Sequence, residues 1–221
     1  MKIAVILTGF LRTNQTMFTF LERNLLSKHE CDLFCITWDK QENNNIVQSN
    51  DFKIYDSYLK KYKIESVEQY NKNKKVFTPI DRENDVFKID NRAIQHGAYW
   101  ANRLIDQWKL VFEGYKLIDT PEKYDIIIRL RYDLKINKID FLLTDSLIIP
   151  QDIGGWSFTD HMAYGNNNVM KTYCELYNHI EQLYITDNID ITHAVEMPKY
   201  FILKNKINYI IDDNIIYGIQ K

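Results

Sequence analysis

Tyr124-Asp-Ile-Ile-Ile-Arg-Leu-Arg-Tyr-Asp133 is the stretch on which the fold turns. Its centre, Ile126 to Ile128, is a continuous β-branched run. Such a run suits a strand buried on both faces, as in a parallel sheet. Its end has a different character. Arg129, Arg131 and Asp133 alternate, and a period of two predicts that all three share one face. Two guanidinium groups and a carboxylate are costly to bury without partners. They therefore form either a paired structural cluster or a site for a charged ligand.

Toward the N-terminus, Lys2-Ile-Ala-Val-Ile-Leu7 has the same buried-strand character, and Thr8-Gly9 breaks it. Thr13 or Asn14 can cap a helix whose apolar positions are Met17, Phe18, Leu21 and Leu25. Leu33 to Thr37 is a second buried strand, so the opening reads as a βαβ unit. Residues 39–51 read as a polar loop. Ser57 to Tyr62 reads as a short helix, Ile64 to Val67 as a strand, and Asn71 to Lys75 as a solvated loop. From Asn91 to about Ile118 the spacing predicts a long helix, with Leu104, Ile105, Trp108, Val111 and Phe112 along one side. Pro121 lies beyond its end.

Toward the C-terminus, Leu147 to Ile149 is a strand stopped by Pro150, and Gly154-Gly155 is a turn. His161 to Tyr164 is a strand closed by Gly165. Val169 to Leu183 reads as a helix, and Pro198 to Leu203 as part of another. Ile207 to Ile211 and Ile215 to Tyr217 are late strands. This alternation predicts an α/β fold with a mostly parallel central sheet flanked by helices, in one domain over residues 1–221.

Composition narrows the function. The chain is 45% hydrophobic, enough to exclude disorder as its main state. Its net charge of −2 leaves no cationic excess for coating nucleic acid. Cys31, Cys35 and Cys174 form no CxxC and read as buried, reduced thiols. The chain opens directly into a strand without a signal peptide, and no apolar stretch approaches the ~20 residues that span a bilayer. These features predict a cytoplasmic protein capable of peripheral contact with a membrane surface.

Open α/β sheets bind ligands beyond the carboxyl ends of their strands. Three features fall there. Thr8-Gly9-Phe10-Leu11-Arg12 follows the first strand. Gly9 allows close backbone approach, and Arg12 can fork onto a phosphate, or the pair is a turn glycine and a surface arginine. Neither GxGxxG nor a Walker A loop is present. The second feature is the Arg129, Arg131, Asp133 cluster. A diphosphate with a divalent cation would satisfy both signs of charge, with Asp133 on the metal. The third is Asp160-His-Met-Ala-Tyr-Gly165, after Gly154-Gly155-Trp156. Trp156 can stack on a sugar face and Asp160 can take a proton from a hydroxyl, or both are structural.

The opening Lys2 to Arg12, the middle strand Tyr124 to Asp133 and the Asp160 to Gly165 element together resemble GT-A glycosyltransferases. The similarity is greatest to small bacterial and virus-encoded sugar transferases of lipopolysaccharide, capsule and glycan synthesis, and runs over roughly residues 1–210. The resemblance implies a UDP- or GDP-linked donor bound by a half spanning residues 1–133, and an acceptor half over 134–221. It implies transfer of the sugar to a glycan or lipid-linked sugar acceptor, assisted by Mn2+ or Mg2+. The family's DxD motif has an Asp where this chain has Arg131, and keeps only Asp133, which would hold the metal. Thr8, Gly9, Arg12, Arg129 and Arg131 would line the nucleotide pocket. Trp38 and Asp39 would read the base or ribose, and Asn91, Gln95 and Arg103 would face the site from the long helix. Asp160 would be the catalytic base, with Glu196 second. A nucleotidyltransferase and a non-catalytic sugar-nucleotide-binding module of a glycan-assembly complex remain as alternatives.

Overall fold

β1 (Lys2–Thr8) is buried from Ile3 onward, because it has a hydrogen-bonded strand on either side and a core against each face. A computed structural model describes residues 1–11, 14–41, 45–73, 91–151, 158–187, 189 and 196–219. After β1 come α1 (Asn14–Asn24), β2 (Glu30–Trp38), β3 (Leu59–Glu65), α2 (Val67–Asn73) and α3 (Asn91–Lys116). Then follow β4 (Ile126–Arg131), β5 (Leu134–Lys138), β6 (Leu147–Pro150), β7 (Met162–Gly165), α4 (Asn167–Cys174), α5 (Leu176–Ile185), α6 (Glu196–Lys204), β8 (Tyr209–Asp212) and β9 (Ile216–Ile219).

Seven strands form the central sheet in the order β3-β2-β1-β4-β7-β6-β8. β7 runs antiparallel to its neighbours β4 and β6, and the remaining pairs are parallel. β5 and β9 pair antiparallel in a small second sheet. This is an α/β architecture compatible with a Rossmann-like fold. Among the described residues, no helix is long and apolar enough to cross a membrane.

Alternation along the strands splits the core into two layers. Ile3, Val5, Leu7, Ile126, Ile128 and Leu130 face Phe18, Leu21 and Leu25 of the α1 side. Ala4, Ile6 and Ile127 face Trp108 and Val111 of α3, together with Met170 and Tyr173 of α4. Gly114 sets the closeness of α3. A Cβ there would stand 2.7 Å from Ile6 Cγ2 and 3.1 Å from Ile36 Cγ2, so only glycine fits without a shift.

Three local expectations change. Residues 59–65 are strand, not helix, and the helical segment precedes them as a 3-10 turn over Ser49–Tyr55. β3 is an edge strand with Lys60 and Lys61 exposed, and its sequence lacks the continuous apolar run of an inner strand. The helix expected over Val169 to Leu183 is two helices, turned at Glu175 (φ −74°, ψ −6°). Asn166 caps the first, its side chain accepting from the Asn168 and Val169 amides. Finally, Asp133 lies past the end of β4, in the turn before β5.

Candidate functional site

β2 and β3 extend the sheet on one side of β1, whereas β4 lies on the other. The carboxyl ends of β1 and β4 therefore flank a topological switch point, the place where open α/β sheets bind their ligands. Thr8 at the end of β1 is directly opposite Arg131 at the end of β4. Because β7 is antiparallel, its beginning reaches this same edge. That reversal delivers Asp160 and His161 to the switch point, beside the strand that carries the arginines.

Arg129 is fully buried. Its Nε donates to Thr8 Oγ1 at 3.0 Å and its Nη1 donates to the Asp160 carbonyl. Its Nη2 has no acceptor among the described residues. One guanidinium thus ties the end of β1, the body of β4 and the approach to β7 together. Arg131 does something different. It closes a two-pronged fork on Asp133, with Nε to Oδ1 at 3.0 Å and Nη2 to Oδ2 at 2.6 Å. Burial works against the charge on Arg131, and the hydrogen bonds and charge of Asp133 outweigh it and raise its pKa. The charge of Asp160 acts in the same direction.

Asp160 is held from the helical layer. Its Oδ2 accepts from Gln107 Nε2 of α3 at 2.6 Å, and its Oδ1 lies 3.7 Å from His161 Nε2. On the other side of that ring, His161 Nδ1 is 3.1 Å from Tyr217 Oη of β9. Gln107, His161 and Tyr217 had no role in the sequence reading. Gln107 was within reach, since it lies one helical turn after Arg103 on the same face of α3. Tyr217 was not, because only the pairing of β5 with β9 carries it to this edge.

The other expected residues fall as follows. Gly9 sits at φ +115°, and among the described residues no atom lies within 4 Å of where a Cβ would stand. Trp38 is buried with Ile36 and Leu110 and packs on Tyr70, ring centroids 5.0 Å apart. Asp39 uses Oδ1 to accept from the Val67 amide at 3.0 Å, fastening the start of α2. Both serve packing and local structure at the end of β2. Arg103 is half-buried on α3. Glu196 is the exposed first residue of α6, and the cluster does not include it. Arg12, Thr13, Gly154, Gly155, Trp156 and His193 lie outside the described residues, as do the side chains of Asn14, Asn91 and Gln95.

The donor set does not suit a divalent cation at Asp133. Both carboxylate oxygens are already taken by Arg131, and Asp133 is only 6% exposed. A metal there would have to share this one acid with a guanidinium or displace it. Among the described residues, no group of three or more His, Cys, Asp and Glu gathers to hold a metal ion.

A second ionic cluster lies away from this edge. Glu113 of α3 is buried and accepts from Lys109 Nζ at 2.8 Å, Lys63 Nζ of β3 at 2.9 Å and Lys116 Nζ at 3.4 Å. It fastens the long helix to the edge strand. Burial pushes this carboxyl up, and the hydrogen bonds and charges of Lys109 and Lys63 overcome it and hold the group at about 2. The folded state therefore binds this proton less readily than the unfolded chain, whose Glu titrates near ~4.3. The stabilisation is complete above that value and is lost as the pH falls toward 2. Glu113→Gln is expected to cost about 2–3 kcal/mol at neutral pH, with the difference from the parent vanishing in strong acid. Urea unfolding at a series of pH values checks this, and a pH-independent difference would remove the assignment.

No protein-family model matches the chain, and no curated protein matches it.

Proposed function

We propose that this chain is a GT-A-type glycosyltransferase that moves a sugar from a UDP- or GDP-linked donor to a hydroxyl of a glycan or lipid-linked acceptor. One observation carries the reading. At the switch point of a mostly parallel sheet, a partly buried guanidinium, Arg131, ends the same strand whose Arg129 is bonded to the backbone of a carboxylate residue, Asp160. Each suits one half of the reaction. The bond from the anomeric carbon to the phosphate oxygen breaks, and its electron pair leaves with the diphosphate. A cationic group fixed beside that oxygen stabilises charge that grows only in the transition state. The acceptor oxygen bonds to the anomeric carbon, and its proton passes to Asp160. Gln107 and the neighbouring His161 ring hold that carboxylate in one orientation. Gly9 leaves room at the end of β1 for the ligand to approach the backbone.

The test is incubation with a panel of nucleotide sugars in the presence of simple glycosides. Release of free UDP or GDP with a glycosylated product is the expected result. Binding without release identifies a non-catalytic sugar-nucleotide module. Pyrophosphate released from a nucleoside triphosphate and a sugar phosphate identifies a nucleotidyltransferase. Neither binding nor release of any nucleotide removes the reading.

A further inference from the structure

We propose that this edge holds a diphosphate without a divalent cation, using Arg131 as the cationic group and Asp133 as the residue that positions it. The identity of the diphosphate as part of a nucleotide sugar rests on the function proposed above, but the mode of binding does not.

Three observations converge. The first is occupancy. Both oxygens of Asp133 accept from Arg131, so a dication bound there would have to share its one acid with a guanidinium already forked onto it, two cations against a single carboxylate. The second is charge. The edge brings together two carboxylates, Asp133 and Asp160, and two guanidinium groups, Arg129 and Arg131, which cancel. A dication is drawn to a site with a surplus of negative charge, and among the described residues this edge has none. The third is the geometry of Arg131 itself. A guanidinium carries five N–H donors, and the fork takes only Nε and one side of Nη2. Nη1 has no acceptor among the described residues, while the side chain is 27% exposed. The fork therefore fixes the plane of the group and leaves donors of a partly exposed side chain uncommitted, enough for two oxygens of a phosphate. Arg131 pairs across to Thr8, and Gly9 beside that pair has no atom of the described residues within 4 Å of a Cβ position.

This changes what one substitution is expected to do. As a metal ligand, Asp133 would be indispensable to anion binding. As a positioning counter-charge, it lowers the local positive potential even while it orients Arg131. Asp133→Asn keeps an acceptor for one prong of the fork and removes the negative charge.

Calorimetry with UDP, GDP and inorganic pyrophosphate, each in excess EDTA and again in Mn2+, tests the inference. The expected result is binding in EDTA at an affinity that Mn2+ leaves unchanged. Asp133→Asn, which loses one prong of the fork, binds a few-fold more weakly than the parent in EDTA and by the same factor in Mn2+. Arg131→Gln weakens binding roughly tenfold or more, the value of a charge-assisted hydrogen bond, and Arg131→Lys restores part of it. Arg131→Gln alone strands a buried carboxylate, so the Arg131→Gln/Asp133→Asn pair, which removes the fork as a unit, is the second variant. It too is expected to lose binding. Affinity that rises tenfold or more with Mn2+, with the rise lost in Asp133→Asn, overturns the inference and leaves the donor-binding reading standing. Pyrophosphate bound in EDTA without either nucleotide supports the inference and removes the nucleotide-sugar reading. No binding of any probe overturns both.

Discussion

Asp160→Asn protein is expected to fold like the parent and to transfer sugar about 10²–10⁴-fold more slowly, the range for loss of a positioned base. The substitution is nearly isosteric. Gln107 Nε2 now donates to Asp160 Oδ2, and an amide oxygen can accept that bond in its place. What the amide cannot do is take the proton of the acceptor hydroxyl. Donor binding stays intact, because the diphosphate is gripped at Arg131 rather than at Asp160. The diagnostic pattern is thus a fall in turnover with unchanged UDP or GDP affinity and an unchanged melting curve. Full-rate transfer by Asp160→Asn would remove the base assignment. A variant that fails to melt cooperatively would instead show that the Gln107 bond is structural.

Arg129→Ala is expected to cost about 3–5 kcal/mol, near the top of the range for single substitutions. Arg129 is among the largest fully buried side chains of the described residues, so truncation leaves a cavity where β1, β4 and the approach to β7 meet. It also strips a donor from Thr8 Oγ1 and another from the Asp160 carbonyl. Thr8 Oγ1 keeps only a long contact, 3.5 Å, to the Leu130 carbonyl. Arg129→Met should behave differently. It fills most of the volume and removes a buried cation that no carboxylate side chain contacts. Replacing such a group by an apolar one of similar size is far less costly than deleting it. A loss of within about 2 kcal/mol is expected for Met. Yet both variants leave the Asp160 backbone without its tether, so both should lose transfer even where folded. Urea denaturation with an unchanged slope separates these effects from a general loosening. A cost below about 1 kcal/mol for Arg129→Ala would show that the guanidinium does not clamp the sheet edge.

The inner strands were legible because burial on both faces leaves no room for alternation. β1, β2 and β4 each read as continuous apolar runs, and each has strands on both sides. α3 was legible for the complementary reason, a 3.6-residue stripe that meets one face of that sheet. β3 and β5 were not. Both carry several lysines and have a strand on only one side, so solvent rather than packing chose their residues. The break at Glu175 was hidden as well, since apolar spacing runs through it without interruption.

The candidate site was legible in its parts but not in its wiring. Arg129, Arg131 and Asp133 read as three equivalent members of one charged face. Two residues of separation placed Arg129 deep in the interior and left Arg131 at the rim. Asp133, beyond the strand end, was then free to turn back onto Arg131. Trp38 and Asp39 show the opposite outcome. They stand at a strand end where ligands bind, but Tyr70 and Val67 engage them first.

Residue order alone determined that the chain builds a buried α/β sheet and that charge accumulates where its middle strand stops. Side-chain periodicity is a local property, and it survives in the one-dimensional record. The tertiary structure decided which charges meet. β7 enters antiparallel and carries Asp160 to the arginines, and β9 returns to β5 and carries Tyr217 to His161. Those encounters depend on strand order and direction, which are set by how the whole chain closes over two cores and leave no trace in the spacing of any one segment.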